Sequence, residues 1–368
     1  MLIDSSNATP QLRALTERYS GLRLATREDN QAIAEFINST SMTSGQLSVG
    51  FTRGNDYFSL LSLQADRYSA LVCTENERIV GVGAFSTRKA IVRGNQTEVG
   101  YLQDLRVSHS VSHRVRQNFY KCFADFVKVS PQLEDFNHCG LFLTAILDEN
   151  HPAKAALSRQ SFPLEYSRLM GYTAHVWPKP PGLHKVLATP TQLSDASFNE
   201  LLGFYKSNLG SLAFDLTCDD IVRLRDHSTP IVLIENGQII AACLLVNTPH
   251  ERQVRAVHKK THLKFESSGT YISAFRISKS IAPEQRQEVR QQLLAKALQT
   301  SLQLPGLFTG LIVMDEESSP LSTLNRVFGF KVGGSLYRVF HPEHSNLPEF
   351  SSGFLRPAHI PAFEWVFS

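Results

Sequence analysis

The chain has 368 residues, 42% of them hydrophobic, with 37 Lys and Arg against 34 Asp and Glu for a formal charge of +3. This length suits two domains better than one core, and the apolar content excludes a disordered chain. The small charge makes a nucleic-acid partner a weak expectation, and no apolar run approaches the roughly 18 residues of a membrane span.

After Met1 only Leu2 and Ile3 stand before Asp4, too short a run to be read as the core of a signal peptide. None of the cysteines Cys73, Cys122, Cys139, Cys218 and Cys243 stands in a CxxC pair, and Cys73, Cys122 and Cys243 lie in apolar runs. They read as reduced core residues of a cytoplasmic protein.

Residues 1–20 form a polar lead with one helical stretch, Gln11 to Tyr19, whose Leu12 and Leu15 dock on the body. Leu22 to Thr26 reads as a strand, and Glu28 to Ile37 as a helix behind a Thr26 cap. A Ser/Thr/Gly-rich connection leads to a helix around Tyr57–Leu63. Strands at Ser69–Thr74 and Ile79–Thr87 are joined by the turn Glu75–Arg78 into an antiparallel hairpin. Val99 to Val107 has the pattern of a buried strand, and from about Gln117 the residues Phe119, Phe123, Phe126 and Val127 recur at helical spacing. Between them lies a polar, basic loop, and a helix start behind such a loop binds anions readily. A strand at Leu141–Leu147, a helix from about His151 to Arg159 and closing strands near Ser167–Trp177 follow. Pro178, Pro180, Pro181 and Gly182 then form a linker.

The chain repeats itself after the linker. Leu24-Ala25-Thr26 recurs as Leu187-Ala188-Thr189, Glu75-Asn76 with Ile79-Val80 as Glu235-Asn236 with Ile239-Ile240, and Leu105 to Ser108 as Phe275 to Ser278. Gly140-Leu141-Phe142 recurs as Gly306-Leu307-Phe308, and Ser161-Phe162 as Gly329-Phe330. The offsets stay between 160 and 170 residues, in one order. The chain is therefore two copies of one α/β unit.

The order within each copy is strand, helix, helix, hairpin strands, strand, loop, helix, strand, helix, strands. It resembles the GNAT acyltransferase superfamily, in a tandem form. The resemblance implies two GNAT-like domains, residues 21–178 and 184–342, each a mixed, largely antiparallel sheet flanked by helices and joined by the linker 179–183. The tail, residues 343–368, is extended by Pro348, Pro357 and Pro361. It is apolar through Phe350, Phe354, Phe363, Trp365 and Phe367, which suits packing along a domain.

The same resemblance implies acyl-CoA, first of all acetyl-CoA, as donor and a small-molecule or peptide amine as acceptor. The main chain of Leu105, Arg106 and Val107 would hold the pantetheine arm. The family's phosphate pattern, R/Q-x-x-G-x-G/A, falls on Ser112 to Gln117, where both glycines are lost. His113, Arg114, Arg116 and Gln117 would instead meet the phosphates at the helix start, the arginines as charges; solvated surface arginines are the alternative. In the second copy the loop Ser278 to Glu288 also lacks glycine. Its Pro283, Glu284 and Glu288 make a good helix start but repel phosphate, so the cofactor is expected in the first copy.

Glu98 and Asp104 are the candidate bases; period two places them on one face with Arg106, and an Asp104–Arg106 ion pair is the alternative for Asp104. The family's acid, a tyrosine, falls on Leu157 and Asn325, leaving Tyr166 or Tyr172. His109 and His113 lack a third ligand for a metal site, and no HExxH, GxSxG or GxxxxGK[ST] is present. Loss of the glycines and tyrosines also fits a pseudoenzyme that binds or regulates. The basic run Arg252, Arg255, Lys259, Lys260 and Lys264 is a solvated face or, in a third reading, a grip on aminoacyl-tRNA as donor.

Overall fold

The structure is a computed structural model that describes all residues except 40–41, 45–46, 55, 93–94, 158–162, 181–194, 210–213, 248–251, 259–263, 315–329 and 345–368. The first half runs α1 (Pro10–Glu17), β1 (Leu22–Leu24), α2 (Asn30–Ser39), β2 (Met42–Ser44), β3 (Leu47–Arg53), α3 (Tyr57–Gln64), β4 (Arg67–Glu75), β5 (Arg78–Val92), β6 (Asn95–Val107), α4 (His113–Val129), β7 (Phe142–Leu147), α5 (His151–Leu157) and β8 (Glu165–Pro178). The second runs α6 (Asp195–Asn208), α7 (Cys218–Arg223), β9 (Ser228–Glu235), β10 (Gln238–Asn247), β11 (Arg252–His258), β12 (Lys264–Ser267), β13 (Gly269–Ile277), α8 (Pro283–Ser301), β14 (Phe308–Met314) and β15 (Phe330–Phe340).

Local chemistry accounts for most element ends. Thr9 caps α1, its Oγ1 accepting from the Leu12 amide, with Pro10 at the first helical position. The α1 residues Leu12 and Leu15 are buried, as the spacing predicts. Asp56 caps α3 through the Phe58 amide. The β4–β5 hairpin turns on Asn76 and Glu77, both at positive φ, and the β9–β10 hairpin turns on Asn236 and Gly237 in the same way. Two central residues at positive φ suit the right-handed twist of a two-residue hairpin, so the repeat extends to its turns.

Eleven strands form one sheet in the order β1-β4-β5-β6-β7-β15-β8-β14-β13-β10-β9. Its centre is an exchange. β15, the last described strand of the second half, pairs with β7 of the first, and β8, the last strand of the first half, pairs with β14 of the second. β8 and β15 lie antiparallel against each other, from Phe330 opposite Val176 to Phe340 opposite Glu165. Trp177 of β8 accordingly joins the core of Ile231, Leu245, Leu293 and Leu294 in the second half.

Buried charge crosses the junction too. Arg88 pairs with Asp220 at 3.2 Å, and Arg223 bridges Asp220 and Asp66. Lys179, just past β8, is buried and donates to the carbonyls of Ser301, Leu304 and Pro305 at the C-terminal end of α8. An ammonium there complements the helix dipole.

A second, four-stranded sheet, β12-β11-β3-β2, also draws on both halves. Its first-half strands lie in the stretch read from composition as a connection. Leu47, Val49 and Phe51 do alternate there, but Ser, Thr and Gly between them obscure the pattern.

The two parallel pairs of the large sheet, β6–β7 and β13–β14, start alike. Gly100 opposes Phe142, and Gly269 opposes Phe308. A Cβ on Gly100 would sit 2.3 Å from the Phe142 ring, and one on Gly269 2.2 Å from the Phe308 ring. Gly100→Ala is therefore expected to destabilise the protein by about 1–3 kcal/mol through overpacking. Urea denaturation checks this, and an unchanged midpoint would show that the ring moves aside freely.

Candidate functional site

β6 and β7 pair only at Gly100–Phe142 and Tyr101–Leu143. Beyond these, among the described residues, both strands run on without a shared ladder. The link there passes through side chains instead: Thr144 Oγ1 donates to the Leu102 carbonyl at 2.9 Å, and the Ala145 amide donates to Tyr101 Oη at 3.2 Å. β13 and β14 repeat this, pairing at Gly269–Phe308, Thr270–Thr309 and Tyr271–Gly310 only. Each half thus carries a cleft between two parallel strands that part toward their C-terminal ends.

On the closed side of each cleft the central strand bulges. The β5–β6 register shifts between Val82 and Ala84, where Asp104 has φ 54°; the β10–β13 register shifts between Ala242 and Leu244, where Ala274 has φ 51°. Neither residue is glycine, so both hold a left-handed backbone that favours glycine or, less strongly, Asp and Asn.

The bulge corrects the expected shared face of Glu98 and Asp104. An extra residue shifts the alternation by one, so Gln103 and Asp104 both face α2 and α3, and Arg106 follows them. Glu98 faces the other side, where Asn137 Nδ2 donates to it at 3.1 Å. It also lies six residues from Asp104, about 20 Å of strand, and before the strands part. Burial raises the Glu98 carboxyl above its ordinary range, which the Asn137 bond partly offsets.

Asp104 is buried beneath α3. Arg53 Nη2 donates to it at 2.7 Å, Tyr57 Oη at 3.3 Å, and Arg106 approaches to 3.9 Å. The principal ion-pair partner is thus Arg53, closer than the Arg106 of the sequence reading; Arg106 Nη1 donates to the Ile37 carbonyl at 3.0 Å. Burial opposes ionisation of Asp104, but Arg53 and Arg106 outweigh it and hold the carboxyl below the ordinary range. A carboxylate held in this way is a weak base.

Leu105 and Val107 pack partly buried against the core of Phe119 and Phe123 under α4. That helix starts at His113, four residues earlier than the apolar spacing suggests, because Ser112 caps it by accepting from the Val115 amide. His113, Arg114 and Gln117 are exposed on its first turns.

Arg116 turns back instead, donating to the carbonyls of Ser108 and His109 at 3.1 and 3.0 Å. Arg286 does the same in the second half, donating to Ile281 and Lys279. The Ser108–Ser110 contact likewise repeats as Ser278–Ser280. Arg116 is therefore a clamp on its own loop. What distinguishes the first half is Arg114, where the second has Glu284.

Sequence reading missed Asp148, which directly follows β7 on the far bank of the first cleft. It is half-exposed, accepting from Lys154 Nζ at 2.9 Å and from Ser335 Oγ at 3.3 Å. Its signal was a carboxylate directly after a strand.

No protein-family model matches the sequence, and no curated protein does. Solved structures do match. Saccharomyces cerevisiae N-myristoyltransferase with bound myristoyl-CoA superposes with a TM-score of 0.54 at 10% identity, over 88% of this chain and 79% of that one. A GCN5-related glucosamine N-acetyltransferase region of a fungal multi-domain GH3 beta-N-acetylglucosaminidase superposes with a TM-score of 0.53 at 15% identity, over 87% of this chain and 38% of that one. The chain has the GNAT fold, in tandem.

Within this GNAT fold the tyrosines named as acids are packed away. Tyr172 is buried among Leu143, Phe214 and Leu336, its ring directly over Gly334. Tyr166 packs against the α4 core, and burial raises its hydroxyl well above the ordinary range. Asn325, the tail from 345 on, Lys259 and Lys260 lie outside the described residues, as do the side chains of Leu157, Arg252, Arg255 and Lys264. Among the described residues no helix is long and apolar enough to cross a membrane.

Proposed function

We propose that the chain is an acyl-CoA-dependent N-acyltransferase whose donor sits in the first half, with acetyl-CoA the first donor to test and a small-molecule or peptide amine as acceptor. The observation that carries this reading is the cleft between β6 and β7, opening beside a capped helix start that bears the exposed Arg114. A parted strand pair suits an extended amide-bearing arm, and a helix N-terminus with a cation suits phosphates. The second half has the cleft but carries Glu284 at the matching helix position, which disfavours phosphate.

In this reading the acceptor amine attacks the thioester carbonyl, an N–C bond forms, the C–S bond breaks and coenzyme A leaves as thiolate. The main chain of Leu105 to Val107 lies along the donor. Asp148, exposed at the cleft, takes the amine's proton, a role its position suits better than that of Glu98. Asp104 acts as a positioning residue that holds Arg53 and Tyr57 beneath the strand.

Thiol release from acetyl-CoA and longer acyl-CoAs, followed over a panel of amines, tests the reading. Arg114→Glu is expected to raise KM for the donor at least tenfold with little change in kcat, since it removes ground-state binding of phosphate. Asp148→Asn is expected to lower kcat by about 10²-fold, the usual weight of a general base. If no acyl-CoA binds or turns over, the chain is a GNAT-fold binding module. The ionic lock on Asp104 is the observation that favours that second reading.

A further inference from the structure

Asp148 is held by a strand from the other half of the chain. It follows β7, and the strand paired with β7 is β15. The Asp148 amide donates to the Gly333 carbonyl of β15 at 3.0 Å, and its Oδ1 accepts from Ser335 Oγ of β15 at 3.3 Å. Lys154 of α5 adds an ion pair at 2.9 Å.

The Ser335 hydroxyl is a directed donor. Ser335 is buried, and its Oγ accepts from Arg168 Nε at 3.1 Å. A hydroxyl carries one proton, so with the guanidinium donating to the oxygen that proton points to the carboxylate. A cation behind the donor and an anion in front of it strengthen the bond between them. The row Arg168, Ser335, Asp148 thus runs from β8 across β15 to the end of β7.

A glycine makes room for the carboxylate. A Cβ on Gly333 would lie 2.7 Å from Asp148 Oδ2, and the next atoms it would meet are Cγ and Cβ of the same side chain. A Cβ on the neighbouring Gly334 would instead lie 2.2 Å from the buried Tyr172 ring. Neither glycine has a positive φ, so space and not backbone conformation accounts for the pair.

We infer that β15 positions the base of the first-half site, with Ser335 and Gly333 as positioning residues for Asp148, so that one active site needs both halves of the chain. The inference rests on the acyl-transfer reading and deepens it. An exposed carboxylate samples several rotamers, and a base must be held where the amine's proton will be. The hydroxyl and the cleared strand surface together select one position.

Thiol release from acetyl-CoA, with the amine of the panel that turns over fastest, tests this. Ser335→Ala is expected to lower kcat about tenfold with KM for acetyl-CoA unchanged, and Ser335→Thr, which keeps the hydroxyl, to restore most of it. Gly333→Ala displaces only the mobile end of Asp148, so it is expected to lower kcat with little loss of Tm. Gly334→Ala is expected to lower Tm instead. Neither Ser335→Ala nor Gly333→Ala should lower kcat further beside Asp148→Asn. If Asp148→Asn lowers kcat while Ser335→Ala and Gly333→Ala leave it at the wild-type level, the inference is overturned and the acyl-transfer reading stands.

If no acyl-CoA turns over, that reading fails, and thermal unfolding still judges the contact. Ser335→Ala is expected to cost less Tm beside Asp148→Ala than in the wild type, because the two side chains are coupled. An equal cost in both overturns the inference.

Discussion

A chain ended before Phe330 is expected to lose cooperative folding in both halves. β15 is the strand that covers β7 on one side and β8 on the other, over Phe142–Leu147 and Glu165–Val176. Without it β7 keeps only its two-residue pairing with β6, and β8 becomes an edge. Leu336 and Val339, both essentially inaccessible, also leave the cores they fill; each such side chain contributes about 1.5–3 kcal/mol. The exposed edges invite association. Size exclusion and urea denaturation of the shortened chain are expected to show aggregates and no sharp transition. A monomer with a cooperative transition would mean that the first half folds without the exchange. Residues 1–178 alone should fail likewise, since β8 would lack both β14 and β15.

Asp104→Ala is expected to be the most damaging single substitution in the first half. It takes away the carboxylate that the buried Arg53 bonds, and breaking such a pair from one side costs about 3–5 kcal/mol. It also places alanine in a left-handed conformation, although Ala274 shows that the fold accepts this. Asp104→Asn keeps the shape and removes the charge, so it separates the two effects.

The pH dependence follows from the sign of the shift. The folded carboxyl titrates below its unfolded value, so its stabilisation is fully present above about pH 4 and is lost as pH falls through the lower folded value. Urea midpoints measured from pH 7 downward should show a steeper acid limb in the wild type than in Asp104→Asn, where the limb that remains belongs to other carboxylates such as Asp29, held low by Arg23. An identical limb in both would show that Asp104 carries no linked stability.

Much of this architecture can be read from residues. Asn76 and Asn236 announce matching hairpins, Thr9-Pro10 announces the start of α1, and the phenylalanines of α4 mark its buried face. Chain order gives the repeat, and the repeat with its order gives the resemblance to the GNAT fold. What a strand's own residues do not state is its neighbour. Val176 and Val332 look equally able to close their own half, and only long-range pairing sends each to the other.

The bulge was hidden for a related reason. A left-handed residue in mid-strand leaves a signal when it is glycine, and here it is Asp104 in one half and Ala274 in the other. Reading straight through it put Glu98 on the wrong face. Arg116 shows a different limit, since an arginine at a helix start serves a ligand or its own loop equally well by composition. The twin Arg286, in a half expected to bind nothing, was the available sign that the role is local.

Hydrogen exchange with and without acetyl-CoA tests the central claim, a donor held in the cleft of the first half, most directly. The account predicts slowed exchange in residues 103–117 and no change in the matching residues 273–287. Protection of the second stretch instead, or none in either half at millimolar acetyl-CoA and longer acyl-CoAs, would contradict it.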